Sequence, residues 1–205
     1  MIDPKDYFDA ALLLHGHRCP AMPLGLRAGA AAMNALGVER SGAGTLEAIL
    51  ELGDGHFAHC YADGVQMVTG CTFGKGNIRK LGYGKFGLTL VDRSTGRAVR
   101  VVPRTEKQLA SKQTVFFTEY RTKGIPPTDV PAEVVQPLID QVMRAPDEAL
   151  LRVGPVIEHS VHTKAEDFDS FVCDRCGEMV VARYGRQVGD QRVCIPCQEA
   201  IDAAR

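Results

Sequence analysis

Four cysteines near the end of the chain have the spacing of a metal site. Cys173 and Cys176 form one Cys-x-x-Cys pair, Cys194 and Cys197 form a second, and 17 residues lie between the pairs. Two such pairs can present four thiolates tetrahedrally to one Zn²⁺, and four protein ligands leave no coordination position for water. We therefore predict a structural zinc site. The spacing also leaves open two buried thiol pairs, two disulfides or an iron–sulfur cluster.

A second group of histidines and cysteines lies within the first 77 residues. Residues 15–20 read His-Gly-His-Arg-Cys-Pro, residues 54–63 add two histidines, a cysteine and two aspartates, and residues 69–77 add a further cysteine among glycines. Imidazole and thiolate groups are ligands for transition metals. If the fold brings these segments together, they form a second metal site with an open coordination position, as catalysis requires. The predicted ligands are His17, Cys19, Cys60 and Cys71.

Cys71 is the strongest candidate for a nucleophile or a redox-active thiol. It stands in a glycine-rich segment, and the sequence predicts a helix that begins at Gly74 and carries Lys75 in its first turn. A helix N-terminus and a nearby ammonium group both lower the pKa of a thiol. We therefore expect a depressed pKa for Cys71. The alternative is that Cys60 and Cys71 are ordinary buried thiols and that the histidines are surface or capping groups.

The composition is that of a folded protein with no strong excess of charge. The 205 residues include 24 Lys and Arg, 25 Asp and Glu, 45% hydrophobic residues and no Trp. A formal net charge of −1 argues against nucleic acid as the main partner. The longest apolar run, residues 10–14, is far shorter than the ~20 residues that span a bilayer, so we expect no membrane association. Seven cysteines without a signal sequence indicate the cytoplasm.

Hydrophobic periodicity predicts interleaved helices and strands. Helices are predicted over residues 7–14, 24–36, 61–68, 106–123, 131–144 and 198–204. Strands are predicted over residues 45–52, 86–92, 97–102 and 150–157, the middle two joined as a hairpin. Helices and strands do not alternate strictly, so the fold class is α+β. The predicted segments are a core domain over 1–158, a linker over 159–170 and a finger over 171–205.

The motifs resemble those of the FmdE family, which takes its name from formylmethanofuran dehydrogenase. The resemblance lies in residues 15–20, in the Cys-x-x-Asp-x-x-Gln pattern of residues 60–66 and in residues 69–77. Ala21 and Gly64 depart from the family pattern by exchanging one small residue for another. The resemblance implies an α+β core, a C-terminal treble-clef zinc finger, a homodimer and a groove lined by the motif residues.

Carried over residue by residue, the resemblance implies two sets of site residues in the groove. The first set is assigned to catalysis and comprises His15, His17, Cys19, Cys60, Cys71, Asp63 and Lys75. The second set is assigned to substrate binding and comprises Gln66, Thr69 and Asn77.

Two functions follow from the sequence. The first is a metal- and thiol-dependent cytoplasmic protein, an enzyme or an accessory in molybdenum- or tungsten-linked one-carbon (formyl) metabolism, that acts on a small or cofactor-borne substrate. The second is a metal-binding regulator or metal carrier whose zinc finger docks on a protein or nucleic acid. In the second case a basic patch would come from Arg175, Arg183, Arg186 and Arg192.

Overall fold

The chain folds as two compact units, Met1–Val161 and His162–Arg205. The structure, a computed structural model, describes residues 1–40, 42–55, 58–161 and 166–204. Both helices and strands build the first unit, so the predicted α+β class is confirmed. Within the predicted linker, residues 162–165 lie outside the described ranges.

The first unit packs helices against one five-stranded sheet. The α-helices are α1 (Phe8–His15), α2 (Ala21–Leu36), α3 (Cys60–Thr69), α4 (Thr105–Ser111), α5 (Ala132–Arg144) and α6 (Asp147–Leu150). The strands are β1 (Leu46–Leu50), β2 (Ile78–Lys80), β3 (Leu88–Asp92), β4 (Arg97–Pro103) and β5 (Leu151–Glu158). None of the described helices has the length and apolarity that a bilayer crossing requires.

The sheet has the strand order β2-β1-β3-β4-β5, in which only the β1–β2 pair is parallel. The predicted hairpin is β3–β4, with Leu88 opposite Val101 and Asp92 opposite Arg97. The buried Asp92 carboxylate accepts bonds from the backbone N–H of Ser94 at 2.9 Å and from its hydroxyl at 2.6 Å. An aspartate that bonds the backbone two residues ahead favours a tight turn, and this one fixes the hairpin.

Helices α2 and α3 touch backbone to backbone because glycines face the crossing. A Cβ atom at Gly25 would overlap the carbonyl oxygen of Tyr61, and one at Gly64 would overlap the carbonyl oxygen of Met22. No flexible side chain is available there to move aside. The close approach brings the start of α2 beside the first turn of α3, where the predicted site residues lie.

Two predicted helices are wrong. Residues 106–123 form α4, then a π-helical turn at Phe116–Tyr120 and a 3-10 turn at Arg121–Lys123. The Thr114 hydroxyl donates to the carbonyl of Ser111 at 2.6 Å, and such side-chain bonds compete with helix continuation. The predicted helix from Gly74 is a 3-10 turn that ends at Gly76, where φ is +61°, before β2.

A bidentate ion pair joins β4 to the segment that follows β1. Arg100 donates from Nε to Glu51 Oε1 at 2.6 Å and from Nη2 to Oε2 at 2.8 Å. Space for the carboxylate exists because residue 87 is glycine, whose Cβ would overlap the Glu51 carboxyl carbon. Arg100 lowers the pKa of Glu51 below its ordinary value.

We expect Glu51→Gln to make the protein less stable at neutral pH but not in acid. The folded-state pKa of Glu51 is depressed, so its contribution is present above the unfolded pKa of about 4.3 and is lost as the pH falls through the folded value. Urea unfolding should show a deficit of about 1 kcal/mol at pH 7 that shrinks below pH 4. Asp54→Asn, at the exposed Asp54–Lys80 pair, is the control and should change little. A deficit independent of pH would contradict this prediction.

The second unit consists of two short hairpins and a helix. Its elements are β6 (Ser170–Val172), β7 (Met179–Val181), β8 (Arg186–Val188), β9 (Gln191–Val193) and α7 (Ile195–Asp202). Helix α7 occupies the place of the predicted tail helix and begins three residues earlier, with a proline in its first turn. The buried core is small and consists of Cys173, Val193 and Cys194.

Candidate metal centres

The four cysteines of the second unit converge on one point. The sulfur atoms of Cys173, Cys176, Cys194 and Cys197 all lie within 4.8 Å of one another. The backbone N–H of Cys194 donates to the sulfur of Cys173 at 3.3 Å. All seven cysteines lie within the described ranges and are thiols, so the disulfide alternative is not realised here.

The ionisation of these thiols favours a bound cation. N–H groups of the backbone, that of Cys176 foremost, lower the pKa of Cys173 to about 6. Contact with the Cys194 thiol raises the pKa of Cys197 to about 12. One sulfur is therefore prepared as a thiolate while its neighbours resist further negative charge, and a divalent cation would relieve that repulsion. The set suits zinc.

A second cluster forms where α1, α2 and α3 meet. His15 is the last residue of α1, which ends at Gly16, where φ is +84°. His17 follows in the next turn, Cys19 immediately precedes the cap of α2, and Cys60 begins α3. One ligand atom from each of these four side chains lies within 4.8 Å of all the others.

The distances in this cluster fit a tetrahedral site with two nitrogen and two sulfur ligands. His15 Nε2 lies 3.1 Å from His17 Nε2 and 3.5 Å from Cys19 Sγ, and His17 Nε2 lies 3.8 Å from Cys60 Sγ. Metal bonds of ~2.0 Å to nitrogen and ~2.3 Å to sulfur place tetrahedral ligand atoms about 3.3–3.8 Å apart. The residues present therefore fit a transition metal such as zinc.

The cluster separates positive from negative charge. A hydrogen bond from Asp63, supported by Cys60, raises the pKa of His15 to about 9. Burial, with the nearby His15 charge, lowers the pKa of His17. The Cys60 thiol, together with backbone N–H groups at the start of α2, lowers the pKa of Cys19, and contact with Cys19 raises that of Cys60. Cys19 is therefore the sulfur most ready to bind a cation.

Asp63 and Gln66 hold the cluster from behind, three and six residues after Cys60 on α3. His15 Nδ1 lies 2.7 Å from Asp63 Oδ2, and Gln66 Nε2 donates to Asp63 Oδ1 at 3.3 Å. The backbone N–H of Phe73 donates to Gln66 Oε1 at 3.2 Å and completes the chain. A carboxylate on the far nitrogen of a histidine fixes the ring so that Nε2 faces the metal.

We expect Asp63→Asn to weaken metal binding at this cluster 10- to 100-fold without abolishing it. Loss of the carboxylate frees the His15 ring and lowers its basicity, which is the effect of removing such a support. The measurement is a Co²⁺ titration, followed by visible absorption, of protein whose finger already holds zinc. Asp190→Asn, in the exposed β8–β9 turn, is the matched control. An affinity equal to that of the control would show that Asp63 does not support the ligand.

Cys71 does not belong to the cluster, and two predictions about it are wrong. The ligand predicted at Cys71 is replaced by His15 in the set that the structure brings together. Burial raises the pKa of Cys71, and the Thr69 hydroxyl and the Lys75 charge lower it by less. The side chain is fully buried, and no helix begins at Gly74 to supply a dipole.

Alkylation should distinguish Cys71 from a reactive thiol. In native protein near neutral pH we expect iodoacetamide to label Cys71 at least tenfold more slowly than a free thiol, because burial suppresses the thiolate and blocks access. Peptide mapping during the reaction measures the rate. Unfolding in urea is the control, after which Cys71 should react normally. Fast labelling in the native protein would restore Cys71 as a nucleophile.

The remaining predicted residues have structural surroundings. Thr69 is buried, with its hydroxyl donating to the carbonyl of Val65 and accepting from the N–H of Cys71. Asn77 is also buried, and its amide joins the N–H of Thr72 to the carbonyl of Leu46. Neither has surface for a substrate. Lys75 is exposed near Cys71 rather than at the cluster.

The histidines before α3 lie apart from the cluster. His59 is exposed, and its Nε2 lies 2.7 Å from the carbonyl oxygen of Gly53. His56 lies outside the described residues. The ligand that the sequence set missed, His15, had a signal in the three-residue spacing of Cys60 and Asp63, since this spacing puts the carboxylate on the helix face that bears the sulfur.

Comparison with known proteins identifies the family. The family model described as "FmdE, Molybdenum formylmethanofuran dehydrogenase operon" matches residues 14–152, so the chain belongs to the FmdE family. A protein of Archaeoglobus fulgidus named "Probable S-adenosyl-L-methionine-binding protein" is 31% identical over 182 residues. The match takes in 82% of this chain and 47% of that protein, so the chain spans about half the length of the relative.

A solved structure shares the fold. It is the crystal structure of an FmdE-like protein of tungsten formylmethanofuran dehydrogenase from Syntrophus aciditrophicus. The two chains are 22% identical, the TM-score is 0.64, and the match covers 96% of this chain and 92% of the other. This likeness concerns the fold.

Proposed function

We propose that the His15, His17, Cys19 and Cys60 cluster is a metal site of catalytic type, which makes the chain a metal- and thiol-dependent protein. The observation that carries the proposal is the unequal support of its two histidines. Asp63 holds His15 by Nδ1 at 2.7 Å, whereas no hydrogen bond to Nδ1 of His17 is found in the described part of the chain. Metal-binding histidines are normally fixed by such a bond.

His17 is therefore the ligand that can leave. Its departure would retain a set of two cysteines and one histidine, with a fourth position available to substrate or water, as in catalytic zinc sites. A metal there supplies a Lewis acid that polarises a carbonyl oxygen. The released His17, whose pKa is lowered by burial, is a neutral base near pH 7 that can accept a proton from the substrate.

The experiment compares His17→Ala with His15→Ala in the full chain. We expect His17→Ala to keep its second metal equivalent and to lose affinity less than tenfold. His15→Ala should lose far more, because it removes the anchored ligand. Unaltered chain with two metal equivalents is the reference. Equal losses in both variants would indicate a closed site with four essential ligands, and a second site empty in all three proteins would end the proposal.

The finer proposal is that the substrate is a small or cofactor-borne one-carbon compound in molybdenum- or tungsten-linked formyl metabolism, with the chain acting in the cytoplasm. Support comes from the family's description and from the Lewis-acid chemistry of the cluster, which suits a formyl carbonyl. In Co²⁺-loaded protein, an N-formyl compound should shift the visible spectrum, and the N-acetyl analogue should do so less. Identical spectra with and without the formyl compound would contradict this.

We also propose that the chain forms a homodimer through β5. This edge strand exposes Val153, Val156 and Ile157, with 41%, 39% and 53% of their surfaces accessible. An apolar edge strand is prone to association and is normally covered. Sedimentation should give twice the chain mass, and Val156→Asp should give the single-chain mass with the same helix content. A monomeric unaltered chain would refute this.

A regulator or metal carrier that docks through its finger is the second candidate. The finger's β6–β7 hairpin exposes Val172, Met179 and Val181, which favours a protein partner. Its arginines are engaged within the finger: Arg175 donates to the carbonyl of Cys197, and Arg192 lies 4.1 Å above the Phe171 ring. Rapid loss of the N-terminal metal to a mild chelator would favour this candidate over the catalytic one.

A further inference from the structure

A cavity of about 870 Å³ lies in the first unit beside the start of α2. Its walls come from the first turn of α2, the segment before β3, strands β4 and β5, and helices α4 and α5. Ligand pockets in proteins measure ~300–1,000 Å³. The cavity therefore has room for a molecule of cofactor size.

The charge of the cavity lining has one sign. Five lining residues are cationic, and none of the lining residues is Asp or Glu. The chain as a whole carries 24 Lys and Arg against 25 Asp and Glu, so this surface departs from the composition of the molecule. Glu51 pairs with Arg100 from behind the lining and balances one of the five. The cationic residues are Lys85, Arg100, Lys107, Lys112 and Arg152.

Apolar side chains form most of the remaining wall. Leu24 lines it from α2, Phe86 from the segment before β3, Val102 from β4, and Leu138 and Val142 from α5. A surface of this kind selects a ligand that has both an apolar body and a negative group. Small inorganic anions would leave the apolar wall uncovered, and neutral apolar molecules would gain nothing from the positive charge of the lining.

The cavity and the His/Cys cluster share a wall. Pro20 and Ala21 line the cavity, and Cys19 immediately precedes them. The backbone N–H of Ala21 also hydrogen-bonds the Cys19 sulfur. Ala58, another lining residue, stands two positions before Cys60. A molecule seated in the cavity would thus lie within one or two residues of the cluster on two sides.

We propose that this cavity binds an organic anion with an apolar body, whose carboxylate or phosphate group pairs with Lys107 and Arg152. The same molecule carries the group that meets the His/Cys cluster. This second statement rests on the proposed function, whereas the ligand class of the cavity does not.

The test uses the zinc-loaded full chain and 8-anilinonaphthalene-1-sulfonate, an apolar organic anion whose fluorescence reports binding. Lys107→Gln combined with Arg152→Gln should raise its Kd at least tenfold. The control removes two exposed cations elsewhere, Lys5→Gln with Arg79→Gln, and should change the Kd less than twofold. N-phenyl-1-naphthylamine, a neutral probe with the same apolar body, should bind all three proteins equally. Equal weakening of the anion by both double variants would overturn the proposal.

Two further measurements locate the probe and identify the anionic group. Leu138→Trp, which fills the cavity from α5, should weaken both probes at least fivefold while circular dichroism stays unchanged. Retention of both affinities would place the probes elsewhere and overturn the proposal. Displacement by hexanoate against hexyl phosphate then shows whether a carboxylate or a phosphate is preferred. If neither displaces the probe, the cavity does not take this ligand class.

The outcome is separable from that of the proposed function. His15→Ala, which should lose the second metal, should still bind the anionic probe. A protein that binds the probe as expected but never takes a second metal would refute the proposed function and leave the cavity standing. A protein that takes both metals but binds the probe regardless of the Lys107 and Arg152 charges would do the reverse.

Discussion

Cys176→Ser is expected to remove about one metal equivalent and to unfold residues 166–204 while the first unit stays folded. The finger's buried core holds only Cys173, Val193 and Cys194, and units of about 40 residues rarely fold on such a core without a metal or disulfide. Zinc binding contributes roughly 10–16 kcal/mol to the folding of such units. Metal analysis gives the stoichiometry, and limited proteolysis with mass spectrometry shows which residues become accessible.

The matched control is Cys71→Ser, the same exchange at a buried cysteine outside both ligand sets. We expect it to retain every metal equivalent, even though a buried hydroxyl lowers the stability of the first unit. Unchanged zinc content in Cys176→Ser would refute the zinc assignment. Loss of metal in Cys71→Ser would instead return Cys71 to the ligand set in which the sequence placed it.

The two metal centres differ in how far the sequence could define them. The finger's ligands come in pairs separated by two residues, so local chain geometry alone brings each pair together. In the first unit, the ligands lie on three helices and the turn between two of them, and His15 and Cys60 are 45 positions apart. The sequence could name the segments, but choosing between His15 and Cys71 required the way in which α1 packs against α3.

The fold shows the same limit. The α+β class and the β3–β4 hairpin follow from periodicity and turn chemistry, which are local. The strand order, with β1 between β2 and β3, depends on contacts between distant segments. The false helix at Gly74 has a specific cause: Asn77 accepts from the N–H of Thr72 and fixes a turn where the pattern allowed a helix.

Gly25→Ala is expected to destabilise the first unit by about 2 kcal/mol or more and to weaken metal binding at the His/Cys cluster more than tenfold. The new methyl group would overlap the backbone of Tyr61, so α2 and α3 must separate. Overpacking costs ~1–3 kcal/mol or more, and the better helix propensity of alanine returns only ~1 kcal/mol. Denaturant unfolding and Co²⁺ titration measure the two effects.

The two effects should appear together because the same crossing positions the ligands. Cys19 lies just before α2 and Cys60 begins α3, so any separation of these helices draws the two sulfurs apart. Gly74→Ala is the control, since a Cβ atom there meets nothing within 4 Å. It should leave stability and affinity almost unchanged. If Gly25→Ala lost stability yet bound metal with the original affinity, the cluster would be held by its loops rather than by the helix crossing.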